Sequence, residues 1–209
     1  MRKLFYIALL MFLGLLGYWF FGGEASYPIT NAKPTGTHII AFGDSLTEGK
    51  GAGKKRAYPA ILSEKLGVPI FNQGISGNTT EDGLKRLKRD VLDHDPKIVL
   101  MGLGGNDFLH KRDKDATFDN LRQMIKAVQQ TGALVILVSV DFPLGGSWTK
   151  RYRELAQETG CPQVSNMLGG IFGHRELMSD QVHPNAKGYA LIADKIKPVL
   201  QKYLNDPQE

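Results

Sequence analysis

Leu134-Val135-Ile136-Leu137-Val138 is the stretch on which the fold turns. Five consecutive apolar residues, with no polar residue at alternate positions, describe a strand covered on both faces. That is how a parallel sheet between two layers of helices is built. Working outward, the run extends over 133–140, and similar short runs occupy 38–42, 69–72 and 97–102, with a weaker one near 162–165. Helical periodicity marks the intervals 57–66, 79–93, 117–131, 149–159 and 185–203. Thr79-Thr80-Glu81-Asp82 offers a cap and first-turn acids ahead of Leu84, Leu87, Val91 and Leu92. Thr117 opens the next helix, with Leu121, Met124, Ile125 and Val128 on one stripe. The alternation predicts an α/β fold with a parallel sheet and helices on both faces. Ligands of such sheets bind beyond the carboxyl ends of the strands. Ser45 follows the first strand and Asn106 the third, so both are expected at one rim.

The N-terminus is of another kind. Arg2 and Lys3 precede Leu4–Phe21, eighteen residues without a charge, Asn, Gln, Ser or Thr. As a helix the run would be about 27 Å long, close to the roughly 30 Å of a bilayer's hydrocarbon core. Its length and its Tyr18-Trp19-Phe20-Phe21 end suit a membrane anchor with an interfacial aromatic belt. A signal peptide cut after Gly23-Glu24-Ala25 is the alternative. Both readings export the remainder, so an extracytoplasmic location is expected. Residues 22–37, rich in Gly, Pro, Ser and Thr, read as a linker that could span up to about 50 Å, with the globular domain at 38–209. Without Arg2 and Lys3 the 26 basic residues become 24 against 21 acids, a surplus of +3. This is too small, and too free of basic–aromatic stripes, to indicate nucleic acid. The one cysteine, Cys161, excludes an intrachain disulfide and reads as small apolar filler.

Acyl-transfer chemistry is written in four separated blocks. Ser45 lies in Gly43-Asp44-Ser45-Leu46, and His183, in Asp180-Gln181-Val182-His183-Pro184, lies 138 residues further on. A hydroxyl becomes a competent nucleophile when an imidazole takes its proton and a carboxylate orients that imidazole. Ser45, His183 and Asp180 can fill those roles. The oxyanion of a tetrahedral intermediate needs donors, for which the backbone N–H of Ser45 and of Gly77 and the side-chain amide of Asn106 are candidates. Each block alone also reads as a cap or a turn. Their order and spacing make the signal.

These blocks, Gly43-Asp44-Ser45-Leu46, Gly77, Gly105-Asn106-Asp107 and Asp180-x-x-His183-Pro184, resemble those of the SGNH (GDSL-type) hydrolases over about residues 38–200. Within that family the chain is most similar to the small bacterial thioesterase, lysophospholipase and arylesterase branch. The resemblance implies a three-layer α/β/α flavodoxin-like fold with a five-stranded sheet, no metal and no cofactor. It implies the same roles for Ser45, Asp180, His183, Gly77 and Asn106. No Gly-x-Ser-x-Gly elbow surrounds any serine, which argues against the other common α/β esterase fold.

Loops at the same rim are expected to form the substrate groove through Phe108, Phe142, Leu144, Trp148 and Phe172, with filling of the core as the alternative for each. Gly49-Lys50-Gly51-Ala52-Gly53-Lys54-Lys55-Arg56 matches no phosphate loop. It reads as a mobile solvated loop, or alternatively as a guide for anionic substrates. Asp93-His94-Asp95 reads as a helix end rather than a metal site. The expectation is a monomeric serine carboxylester hydrolase for small or lipid esters, tethered through its N-terminus. Deacetylation of surface glycans and a non-catalytic tethered binding protein are the alternatives.

Overall fold

The computed structural model describes residues 27–140 and 146–204. Strands β1 (His38–Gly43), β2 (Ile70–Gly74), β3 (Pro96–Gly102), β4 (Leu134–Val138) and β5 (Gln163–Val164) pair in parallel, in the order β2-β1-β3-β4-β5. The chain therefore steps one way from β1 to β2 and the other way from β1 to β3. The crevice between the carboxyl ends of β1 and β3 is the switch point where such sheets bind ligands.

Alternation along the central strands splits the core into two. Ile39, Ala41, Ile98, Leu100, Leu134 and Ile136 face helices α2 (Tyr58–Leu66) and α7 (Ala186–Leu204), through Leu62, Ile192, Ile196 and Leu200. Ile40, Phe42, Val99, Met101, Val135 and Leu137 face α3 (Thr80–Asp90), α5 (Lys114–Gln129) and α6 (Gly146–Thr159). Every residue of β4 is buried, as its unbroken apolar run requires. Two short helices, α1 (Ser45–Glu48) and α4 (Gly105–Leu109), follow β1 and β3 directly and hold the rim.

Boundaries differ from the sequence reading where side-chain caps decide them. Thr79 caps α3 in a reciprocal box with Asp82, as its sequence suggests. That helix ends at Asp90, and a separate 3-10 turn covers Leu92–His94. α5 starts at Lys114 rather than Thr117, because the Asp113 carboxylate accepts the Ala116 N–H at 2.8 Å. Thr117 is buried within the first turn.

The larger correction concerns the linker. From Tyr27 onward the segment read as a free spacer is tied to the domain. Tyr27 Oη donates to Cys161 O at 2.7 Å, and Asn31 Nδ2 donates to Gln129 O and Ala133 O at 2.8 and 2.9 Å. Thr30 N and Thr35 N donate to the Gly160 and Gly132 carbonyls. These partners precede β4 and β5, so the strap crosses the amino-terminal edge of the sheet. Polar composition marked a loop, but its bonds go to backbone carbonyls that no local pattern reveals. Among the described residues no helix is long and apolar enough to cross a membrane. Leu4–Phe21, read as anchor or signal, lies outside the described residues.

Candidate active site

Asp44 turns the chain out of β1. Its Oδ1 accepts the Leu46 N–H at 3.0 Å, capping α1 and presenting Ser45 as the first helical residue. The carboxyl is enclosed, and burial pushes it up to about 7 despite that bond, with Asp107 adding to the rise and Arg86 opposing it. A Cβ at Gly105 would stand 3.3 Å from Asp44 Oδ2, so the two rim blocks lie against each other.

His183 arrives from the opposite end of the chain. Met178 and Pro184 form an antiparallel bridge, and Ser179 N donates to His183 O at 2.8 Å, closing a tight loop. The cap of α7 is Asn185, whose Oδ1 accepts Lys187 N and Gly188 N. Asp180 is thereby left for another task. Its Oδ1 accepts the Val182 and His183 N–H groups at 2.8 and 2.7 Å. These two bonds hold its carboxyl down at about 2. Its Oδ2 lies 2.8 Å from His183 Nδ1, and His183 Nε2 lies 3.1 Å from Ser45 Oγ. Two segments far apart in sequence thus bring three side chains into contact.

The candidate oxyanion donors lie on the same cavity as that hydroxyl. Gly77 takes a left-handed φ of 80°, in a turn closed by Asn78 N to Ile75 O. Asn106 Nδ2 donates one of its two N–H bonds to Asn78 O at 2.9 Å, and the other has no acceptor among the described residues. Ser45, Gly77, Asn106 and His183 line one cavity of about 170 Å³, whose apolar wall is Leu46, Leu109, Val140, Leu168 and Val182.

The groove residues read from sequence are distributed differently. Phe108 packs edge-on against Trp148 at 5.5 Å, and Trp148 continues onto Phe118 of the core at 5.6 Å. On α4 successive side chains are about 100° apart, so it is Leu109 rather than Phe108 that faces Ser45. Phe172 lines a separate depression with Arg175, Met178 and Asp180. Phe142 and Leu144 lie outside the described residues.

Arg86 escaped the sequence reading. Although it sits among the exposed charges Lys85, Lys88 and Arg89, only 7% of its side chain is exposed. Its Nε donates to Asn78 Oδ1 at 2.7 Å, and its Nη groups donate to Gln73 O, Gly43 O and Asp90 Oδ2 at 2.8–3.0 Å. One guanidinium, lying 4.1 Å over the Phe42 ring, therefore joins the ends of β1 and β2 to the Gly77 turn. The clue lay in periodicity, since Gly83, Arg86, Leu87 and Asp90 share a helix face. Asp107 has a matching role, accepting Thr80 N and Thr80 Oγ1 at 2.9 and 2.7 Å.

Several titratable groups elsewhere have structural partners. His38 Nδ1 lies 2.8 Å from both Thr37 Oγ1 and His94 O. Asp93 pairs with Lys88, Asp95 Oδ2 accepts from Thr37, and His174 faces Glu176 at 3.5 Å. Burial pushes the Cys161 thiol up to about 12, in keeping with an inert core thiol. No group of three His, Cys, Asp or Glu able to hold a metal ion occurs among the described residues.

A parallel sheet with these groups at its switch point is the architecture of a hydrolase acting on carboxylic esters. Residues 41–191 match the GDSL-like lipase/acylhydrolase family, and the chain belongs to it. It is 31% identical to thioesterase 1/protease 1/lysophospholipase L1 of Escherichia coli, over 80% of this chain and 85% of that protein. It is 28% identical to an arylesterase of Vibrio mimicus, over 84% and 94%. The solved structure of the psychrotrophic esterase EstA from Pseudoalteromonas, inhibited by monoethylphosphonate, superposes with a TM-score of 0.75 at 26% identity, covering 81% of this chain and 99% of that one.

Proposed function

We propose that the chain cleaves its ester by a covalent route through Ser45. His183 Nε2 removes the Ser45 Oγ proton as the oxygen attacks the ester carbonyl, and then delivers it to the departing alcohol or thiol. Water, activated by the same nitrogen, releases the acid from the acyl-enzyme. Asp180 stays ionised throughout, fixes the tautomer with Nδ1–H towards itself and stabilises the imidazolium. The Ser45 and Gly77 N–H groups, neither with an acceptor among the described residues, and the free N–H of Asn106 receive the oxyanion. The observation that carries this reading is the line Asp180–His183–Ser45, with its contacts of 2.8 and 3.1 Å.

The apolar wall of a cavity of about 170 Å³ favours a short, lipophilic acyl group. Each methylene it buries contributes about 0.8 kcal/mol. Thioester, aryl ester and lysophospholipid cleavage, activities named for the relatives, fall within this chemistry. The same size also suits acetyl groups on surface glycans, a second reading that comparing acetate release from acetylated glycan with release of longer acids separates. The basic start and apolar run at 2–21 support action outside the cytoplasm, which fractionation and N-terminal sequencing of the mature protein check. The central test is labelling by an active-serine phosphonate together with hydrolysis of p-nitrophenyl esters of increasing length. Labelling at Ser45 and loss of hydrolysis in Ser45→Ala are expected. Turnover by Ser45→Ala overturns the mechanism.

A further inference from the structure

The loop Gly49–Arg56 gives the core only Ala52 and has no part in the proposed mechanism, yet it is built with care. Gly49 N and Lys50 N both donate to Ser45 O at 3.0 Å, and Tyr189 Oη donates to Lys50 O at 2.9 Å. Gly49, Gly51 and Gly53 take φ values of 95°, 92° and 84°, open only to glycine without strain. A Cβ on Gly51 would lie 2.6 Å from Pro184 O and 3.3 Å from His183 Cβ. The first half of the loop, Gly49–Gly51, is thus wedged between the serine and histidine segments. This fixes the backbone of Lys50 relative to the reacting atoms.

Among the described residues lining the catalytic cavity, Lys50 alone carries an ammonium group. It also borders a neighbouring depression of about 220 Å³ shared with Lys54, Ser76 and Glu48. Within the described residues the ammonium groups of Lys50, Lys54 and Lys55 make no hydrogen bond and no ion pair. The nearby Glu48 carboxylate is already engaged by Ser76 N and Oγ. Lys50 and Lys54 feel the Glu48 charge, which they help the Ser76 bonds to hold ionised, but neither is bonded to it. An unbonded cation on a fixed backbone beside the nucleophile is a recognition element for negative charge.

We infer that Lys50, with Lys54 behind it, forms an anion subsite, so that the preferred esters carry a carboxylate or phosphate next to the scissile bond. The inference rests on the esterase reading above and specifies its substrate class. The test compares kcat/KM for charged and neutral partners. These are p-acetoxybenzoate and p-acetoxyphenyl phosphate against phenyl acetate, with the charge on the leaving group, and mono-p-nitrophenyl glutarate against p-nitrophenyl butyrate, with the charge on the acyl group. Comparing each ratio between wild type and variants cancels the intrinsic reactivities of the esters. The two arms locate the charge, and the first separates carboxylate from phosphate.

Lys50→Gln is expected to lower the charged-to-neutral ratio in at least one arm by about tenfold, the scale of one partly desolvated charge pair. Lys50→Arg keeps the ratio. Lys55→Gln, on the same loop but outside the cavity, also keeps it, which separates direct contact from the general field of the surface. Salt at about 0.5 M compresses the wild-type preference. If Lys50→Gln leaves every ratio unchanged, or Lys55→Gln lowers them equally, the subsite is refuted while ester hydrolysis stands. If no ester is turned over through Ser45, the underlying reading fails instead.

Discussion

Replacing Arg86 by lysine keeps the charge and removes the fork. In the native site the guanidinium reaches four acceptors in three directions, Asn78 Oδ1, Gln73 O, Gly43 O and Asp90 Oδ2, at 2.7–3.0 Å. An ammonium is a single point with three donors, and with the four acceptors lying in divergent directions it is expected to reach two of them. The two acceptors left behind each forfeit a charge-assisted bond, about 1.5–3 kcal/mol apiece, so Arg86→Lys should lower stability by roughly 3 kcal/mol or more. Asp90 is not orphaned, because Arg89 Nε and Nη2 hold it at 2.5 and 2.9 Å. The loss therefore falls on the strand ends and on Asn78. Asn78 O accepts from Asn106 Nδ2, so loosening this turn displaces both proposed oxyanion donors, Gly77 and Asn106, together. Misplacement of such groups by about 1 Å costs on the order of 100-fold in rate. Urea midpoints report the first effect. Steady-state hydrolysis of p-nitrophenyl acetate, at a temperature where both proteins are folded, reports the second as a fall in kcat with little change in KM. A lysine variant with wild-type midpoint and wild-type kcat would show that Arg86 does not hold the rim.

Asn106→Ala should lower kcat by about 100- to 1000-fold, the effect of losing one oxyanion donor, and an unchanged kcat removes this residue from the oxyanion hole. The Asp44 carboxyl, raised to about 7 by burial, binds its proton more tightly folded than unfolded. The Asp44 contribution to stability should consequently fall as pH rises from about 4 to about 7 and level off above. Asp44→Asn, which keeps a capping oxygen, should flatten that slope in urea midpoints taken across the range. Gly104→Ala combines a φ of 105° with a Cβ only 2.1 Å from Tyr152 Oη. It should reduce the melting temperature and break the Tyr152 Oη bond to Leu103 O, with an unshifted melting curve as the contrary result. A chain beginning at His38 should be measurably less stable than one beginning at Tyr27, whereas equal midpoints would mean that the strap contributes nothing.

Layering and the rim blocks were legible because each is written locally. The β4 run has no polar residue to turn outward, and Gly-Asp-Ser and Gly-Asn-Asp each follow a strand within three residues. What stayed hidden depends on partners distant in sequence. Arg86 looks like its exposed neighbours until its helix face is known, and its acceptors are backbone carbonyls invisible to any motif. Phe108 and Leu109 differ only in which way a short helix is rotated. The strap from Tyr27 to Thr37 is polar because it bonds to chain ends, and composition alone cannot tell that from solvation. The start of loop 49–56 looked mobile for the same reason that it is fixed, since Gly51 permits the close contact with Pro184 and His183.

The strap carries one more consequence. It runs under the amino-terminal edge of the sheet, whereas Ser45 opens at the other edge, a strand's length of about 20 Å away. Whatever precedes Tyr27 is thus joined to the underside of the domain, with the catalytic mouth pointing the opposite way. Held from that side, the enzyme would meet cargo arriving from beyond it before any in the surface beneath, and a bead or sensor chip coupled upstream of Tyr27 would leave the mouth unobstructed.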